Sequence, residues 1–228
     1  MSELAALRAR WGARHFQRAP AKLIDKLPLH DADKTILTEI GLPVGPRTAL
    51  KLSLRFENVN ILHEPLKIKP ASAAGFKKAR KFPRTGHKNL GWADLDKFVV
   101  VGKVPPEFGL GNWVGRFICI DGGTGRVAWA APDRKDGKTY ISLMNTNLTA
   151  YLKSLLAYKE FREEWPGLIK KYGGDEEAAE RKGYRKRATA IHKNFTTRLK
   201  RADPKGYKNQ DGFWAFHAWN EAILLGIG

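Results

Sequence analysis

The residues of this chain that could bind a metal ion or attack a substrate are dispersed. Its six histidines are His15, His30, His63, His87, His192 and His217. No two of them have the spacing of metal ligands, and no pair of cysteines could complete a zinc site. The single cysteine, Cys119, lies in the apolar run 117–120, where a thiol is typically a small buried hydrophobe. We therefore expect no metal site and no catalytic cysteine.

Two glycine-rich segments contain residues that bind phosphate in other proteins, but neither has the required context. The segment 109–115 departs from a dinucleotide-binding loop because its third glycine comes one residue late. The segment 121–126 lacks the Gly-Lys-Ser/Thr ending and the following helix of a P-loop, so it is typical of a hairpin turn. The sequence predicts no catalytic residue and no cofactor, and an enzyme of unfamiliar type is the least favoured class.

The middle of the chain predicts the centre of the fold. Residues 117–121 and 126–130 are rich in β-branched and aromatic residues around a glycine turn, which indicates a β-hairpin. Tyr140–Leu143 predicts one more strand. The segment Asn145-Thr146-Asn147 begins a long helical pattern, because asparagine caps helices and the apolar residues from Leu148 recur at helical spacing. We expect this long helix to end at Trp165-Pro166-Gly167, because proline and glycine terminate helices.

Shorter signals predict further elements on both sides. Before the hairpin we expect a helix at 4–11, a short helix from Asp31 or Asp33 to Gly41, and strands at 50–56 and 98–102. After it we expect a charged helical region at 170–208 and an aromatic-rich helix from about Asp211. In the charged region, Ile191, Phe195 and Leu199 are expected to dock on the domain. The acidic residues at 175–180 are expected at the start of the charged helical region, where they would suit the helix dipole.

The charge of the chain is strongly positive. Lysine and arginine total 41 against 23 acidic residues, which gives a net charge of +18. Such a field attracts polyanions, although a solvated basic surface without a function is the alternative. One turn-rich segment concentrates the charge, and we take its basic residues as the candidate partner-binding site. They are Lys77, Lys78, Arg80, Lys81, Arg84 and Lys88.

The sequence also indicates the cellular compartment that we expect for the protein. No run of about twenty apolar residues is present, so we expect no membrane span. The first residues contain no apolar core of a secretory signal. A single cysteine allows no disulfide within the chain, which fits a reducing compartment. We therefore expect a cytoplasmic protein.

Several segments together resemble the SUKH superfamily, and most closely its fourth immunity subfamily. They are the short helix that ends at Gly41-Leu42-Pro43, the strand 117–121 with its glycine turn and Arg126-Val127, and the cap 144–148 that leads into Tyr151-Leu152. The resemblance implies an α+β fold with a central, largely antiparallel sheet flanked by N-terminal, middle and C-terminal helices. We expect one domain over 1–228, with a basic loop insertion near 67–97 and a charged, mostly helical C-terminal part at 166–228.

The resemblance also implies a function. Members of this family are immunity proteins of bacterial polymorphic toxin systems, which bind and block a toxin domain and need no catalytic residues. A basic face favours an acidic partner and a fast, salt-sensitive encounter. The alternative is a nucleic-acid-binding protein, in which the basic loop meets phosphates and its aromatic residues stack on bases.

Overall fold

The computed structural model describes residues 3–43, 69–70, 79–80, 97–104, 116–132, 139–173, 180–208 and 213–227. The helices are α1 (Glu3–Trp11), α2 (Ala21–Ile24), α3 (Asp31–Thr35), α4 (Leu148–Tyr172), α5 (Tyr184–Ala202), α6 (Pro204–Tyr207) and α7 (Phe213–Leu224). A π-helical segment, Ile36–Ile40, continues α3. The strands are β1 (Phe16–Gln17), β2 (Leu42–Pro43), β3 (Lys69–Pro70), β4 (Ala79–Arg80), β5 (Phe98–Val104), β6 (Arg116–Asp121), β7 (Val127–Pro132) and β8 (Thr139–Asn145).

Within the described residues, six strands form one sheet in the order β3-β5-β6-β7-β8-β4, and β1 pairs with β2. The pairs from β3 to β8 are antiparallel, and the edge pair of β4 with β8 is parallel. The predicted α+β class with a largely antiparallel sheet is therefore confirmed, as are the strands expected at 98–102, 117–121, 126–130 and 140–143. The strand expected at 50–56 lies outside the described residues.

The sheet has one face covered by helices and a second face with its own smaller apolar cluster. Alternation along the strands places every second side chain on the same face. The face toward the helices carries Val99, Val101, Ile118, Ile120, Val127 and Met144. The opposite face carries Phe98, Val100, Cys119, Ala128, Ala130 and Ile141. Cys119 is buried, as predicted, and burial raises the pKa of its thiol.

The turn between β6 and β7 is held by its own side chains and by the N-terminal region. The Asp121 carboxylate accepts hydrogen bonds from the Gly123 N–H at 2.9 Å and from the Thr124 hydroxyl at 2.6 Å. A Cβ at Gly122 would lie 1.5 Å from the Pro28 carbonyl oxygen, so only glycine fits there. Gly125 has a φ of 69°, a left-handed conformation that favours glycine. The segment is a hairpin turn, as expected, and its glycines serve packing.

Helix α4 is the central helix of the core. The Asn147 side chain accepts from the Ala150 N–H at 2.8 Å, which confirms the predicted cap. The predicted stop at Trp165-Pro166-Gly167 is wrong, because α4 continues through Pro166 to Tyr172. Trp165 and Leu168 on either side of the proline are both buried, so packing stabilises this last part of the helix despite the missing N–H.

The C-terminal helix α5 follows the apolar pattern of the sequence. Ile191, Phe195 and Leu199 of α5 are buried, as predicted. Helix α5 begins at Tyr184, and its first turn holds no acid. The expected acidic start of the helical region stays a prediction, because Asp175, Glu176 and Glu177 lie outside the described residues. Gly183, with a φ of 87°, precedes the helix in the left-handed conformation that favours glycine.

Candidate interaction surface

The basic loop predicted as a binding site is described only in part. Lys77, Lys78, Lys81, Arg84 and Lys88 lie outside the described residues. The sixth residue, Arg80, belongs to β4, whose backbone pairs with Tyr140 of β8 at the edge of the sheet. Binding through these six residues stays a prediction.

The described part of the chain contains another basic surface, on α5. This helix carries seven lysines and arginines and no aspartate or glutamate. They are Arg185, Lys186, Arg187, Lys193, Arg198, Lys200 and Arg201. All are exposed except Arg198, which is partly buried. Helix α5 alone therefore contributes a large share of the net charge of +18.

The lysines of α5 lie on the side opposite its buried residues. Lys186, Lys193 and Lys200 follow one another at intervals of seven residues. Seven residues make about two helical turns, so these three residues, which we call the lysine stripe, share one face. The buried face comprises Tyr184, Ala188, Ile191, Phe195 and Leu199. The stripe therefore points away from the core and presents a row of cations to solvent.

The charges at the start of α5 do not serve the stability of the helix. Arg185, Lys186 and Arg187 occupy its first turn, where the unpaired N–H groups already form the positive end of the helix dipole. A cation there is unfavourable by roughly 0.3–1 kcal/mol, whereas an acid would be favourable. The dipole of α5 therefore does not account for the three cations at its start.

Aromatic contacts hold α5 against α4. The Phe195 ring stacks on Phe161 with ring centroids 4.5 Å apart, and it lies 5.9 Å from the Tyr158 ring. The Glu160 carboxylate of α4 forms ion pairs with Arg198 of α5 and with Arg10 of α1. Three helices therefore meet at this carboxylate, and the inner side of α5 is fixed while the lysine stripe stays exposed.

A buried polar network holds the C-terminal end of α5. The Asp203 carboxylate accepts hydrogen bonds from the Thr146 N–H at 2.7 Å, the Gly206 N–H at 2.9 Å and the Asn145 amide at 3.1 Å. The Asn145 side chain also donates to Ser154 and accepts from the Trp214 indole at 2.7 Å. Asp203 lies between α5 and α6, and its network includes Asn145 at the end of β8, Ser154 of α4 and Trp214 of α7. The network therefore fixes α5 and α7 relative to the sheet.

Helix α7 packs beside α5 and α4. A His192 ring nitrogen of α5 lies 2.7 Å from the Ala218 carbonyl oxygen. The Tyr158 hydroxyl of α4 donates to the Glu221 carboxylate at 3.1 Å, and Arg162 lies 3.5 Å from the same carboxylate. Burial raises the pKa of Glu221, and the neighbouring Arg162 lowers it in part. The expected closing helix is thus present, with Trp214 in the core.

The remaining titratable groups form no catalytic constellation in the part of the chain that the structure describes. Burial raises the pKa of Asp33 to about 6, against a smaller opposing effect of His30. Both side chains lie against Gly125 of the hairpin turn. Among the described residues, no three histidine, cysteine, aspartate or glutamate side chains lie close enough together to hold a metal ion. Across the same residues, no helix has the length and apolarity that crossing a membrane requires.

The comparison with protein families decides the relationship. The model of the SUKH-4 immunity protein family matches residues 3–218. The chain belongs to this family. The SUKH-4 resemblance expected from the sequence is therefore confirmed, and the match covers all the described helices and strands up to the middle of α7. Membership of an immunity protein family implies a toxin partner and a non-enzymatic role. No curated protein and no solved structure matches the chain.

The α5 surface was missed as a site by sequence reasoning, although a signal for it exists. Between Arg181 and Lys208 the only acidic residue is Asp203, and its side chain is buried. The seven-residue spacing of the lysine stripe is also visible in the sequence. A long basic segment with a single helical face of cations would have indicated this surface as readily as the loop at 77–88.

Proposed function

We propose that this chain is an immunity protein that binds a cognate bacterial toxin domain and neutralises it in the cytoplasm. The observation that carries the proposal is the family match over residues 3–218. Neutralisation by binding requires a complementary surface and no reacting groups. The exposed face of α5, with its row of cations on a rigid helix, is a surface of that kind.

We also propose that the chain acts as one domain. A single cluster of buried side chains runs from Leu7 in α1, through the helix-facing side of the sheet, to Leu225 after α7. Because these residues share one core, truncation at either end would expose apolar surface. A binding face on α5 and α7 would then depend on the whole domain for its shape.

Co-expression tests the proposed function. The chain is produced together with each toxin domain encoded near its own gene, and growth of the host is measured. We expect growth to be restored with one domain and not with unrelated toxins. If no toxin domain of this neighbourhood is neutralised, the proposed function is wrong.

Titration of the purified toxin then separates binding from catalysis. A binding inhibitor abolishes toxin activity at a 1:1 ratio, because each molecule blocks one partner. An enzyme that modifies or destroys the toxin would protect at a small fraction of that ratio, and protection would increase with time. We expect the stoichiometric end point without time dependence.

A further inference from the structure

The outward face of α7 carries large apolar side chains next to the basic face of α5. Trp219 is 58% exposed and Ile223 is 49% exposed, whereas Trp214, Ala218 and Ala222 of the same helix are buried. Trp219 and Ile223 are four residues apart, so they lie on the same face of α7. Exposure of two large apolar residues side by side is a common property of protein-binding surfaces.

The packing of α7 places this apolar pair on the side of α5. Glu221 contacts α4 through Tyr158, and Ala218 contacts α5 through His192. Successive residues of a helix are rotated by about 100°. Trp219 therefore lies about 100° beyond Ala218, on the side of α7 away from Glu221. The apolar pair and the lysine stripe thus lie on neighbouring helices, both directed outward.

The combined surface provides most of the area that a specific protein partner needs. The 19 residues of α5 span roughly 28 Å at about 1.5 Å per residue. Two packed helices with axes about 8–10 Å apart present a surface about 20 Å wide. These dimensions give about 560 Å², which is about 70% of the area of about 800 Å² per partner that is typical of stable complexes.

We propose that the lysine stripe of α5 together with Trp219 and Ile223 of α7 forms the docking surface for an acidic protein, namely an acidic face of the toxin domain. This inference rests on the proposed function. The tryptophan and isoleucine enter an apolar recess of the partner and form the centre of the interface. The lysines pair with carboxylates at its rim, which accelerates the encounter and selects against basic partners.

A protein fits this surface better than a nucleic acid. A single-stranded nucleic acid needs a series of planar side chains on which successive bases stack, and this surface provides one such ring, Trp219, next to the aliphatic Ile223. An isoleucine beside a tryptophan suits a shaped apolar recess in a folded partner. The cations at the rim would attract either polyanion, so the two partners must be distinguished by experiment.

The probe is the toxin domain identified by the co-expression experiment, inactivated at its own catalytic site, and its binding is measured by surface plasmon resonance. Trp219→Ala is expected to weaken the affinity about 30-fold or more, as truncation of a central aromatic anchor does. The stripe variant, Lys186→Glu with Lys193→Glu and Lys200→Glu, is expected to lower the association rate constant about tenfold at low salt. The difference should shrink as salt increases.

Two matched controls lie on and beside α2. Leu23→Ala removes another exposed apolar side chain, 38% exposed. Arg18→Glu with Lys22→Glu and Lys26→Glu makes the same change of charge at exposed positions. Both controls are expected to bind as the unsubstituted protein does. Thermal unfolding of every variant shows whether it is folded, and Ile223→Ala provides a milder change if Trp219→Ala proves unstable.

The outcomes separate this inference from the proposed function. If the unsubstituted protein binds the toxin domain and the α5 and α7 variants bind equally well, the docking surface is refuted and the proposed function stands. If the unsubstituted protein binds no toxin domain, both fail. Sub-micromolar binding of short RNA or duplex DNA at about 0.15 M salt, lost in the stripe variant, would assign the surface to nucleic acid and overturn the inference.

Discussion

Replacement of Asp203 by alanine should destabilise the protein more than any other single change to its polar groups that the structure suggests. The carboxylate is buried and accepts four hydrogen bonds, from the Asn145 amide, the Thr146 N–H and hydroxyl, and the Gly206 N–H. It also caps the N-terminus of α6. Removal leaves several donors without an acceptor and separates the end of α5 from β8.

The size of the effect follows from these contacts. A buried donor without an acceptor costs about 1–3 kcal/mol, and a lost N-cap costs about 0.5–2 kcal/mol. Relief from burying a charge offsets part of this loss. We therefore expect Asp203→Ala to lower the free energy of unfolding by about 3 kcal/mol. For a chain of this length, that corresponds to a decrease in Tm of roughly 6–12 °C.

The assay is chemical denaturation followed by intrinsic tryptophan fluorescence, with Tm from calorimetry. Asp203→Asn retains one acceptor oxygen and should lose about half as much as the alanine variant. Lys205→Ala, an exposed position on the same short helix, is the matched control and should be neutral. A loss below about 1 kcal/mol for Asp203→Ala would refute the structural importance of the network.

Three further predictions concern the core, the pH dependence and metal content. Leu156→Ala in α4 should destabilise the protein by about 2–5 kcal/mol in urea denaturation, and a negligible change would contradict the packing of α4 on the sheet. Because burial raises the pKa of Asp33 from 3.8 in the unfolded chain to about 6, ionisation of Asp33 destabilises the fold as pH rises from about 4 to 6. Asp33→Asn should therefore raise Tm at about pH 7.5 but leave it unchanged near pH 4, and equal shifts at both would be inconsistent with this origin. A chelator should leave Tm unchanged, and stoichiometric zinc in the purified protein would contradict the absence of ligand spacing in the sequence.

Local patterns in the sequence were sufficient to predict the elements that interactions between neighbouring residues specify. The hairpin of β6 and β7 follows from alternating apolar residues and a glycine turn, and the start of α4 follows from the Asn147 cap. Both signals act between neighbours in the chain, so no knowledge of the tertiary structure is needed. The family resemblance, carried by the same segments, was also visible at this level and is confirmed.

The end of α4 shows where local patterns fail. Pro166 predicts a stop because it lacks an N–H group and its ring crowds the preceding turn. The helix nevertheless continues to Tyr172, because Trp165 and Leu168 are buried in the core. Burial of these two side chains stabilises the helix by more than the missing hydrogen bond destabilises it. The amount buried depends on the helices that pack around them, which the local sequence does not specify.

The amino-acid sequence by itself determined the hairpin, the cap of α4 and the strong positive charge, since each depends on neighbouring residues or on composition. The α+β class came from the family resemblance that the sequence carries. Only the tertiary structure decided which cations share an outward face and that Trp214 is buried while Trp219 is exposed. It also brought Asn145 of β8 together with Asp203 and Trp214, which lie 58 and 69 residues away in the chain. The physical reason is that burial and long-range hydrogen bonds arise only when distant segments pack together, so no pattern within one segment can specify them.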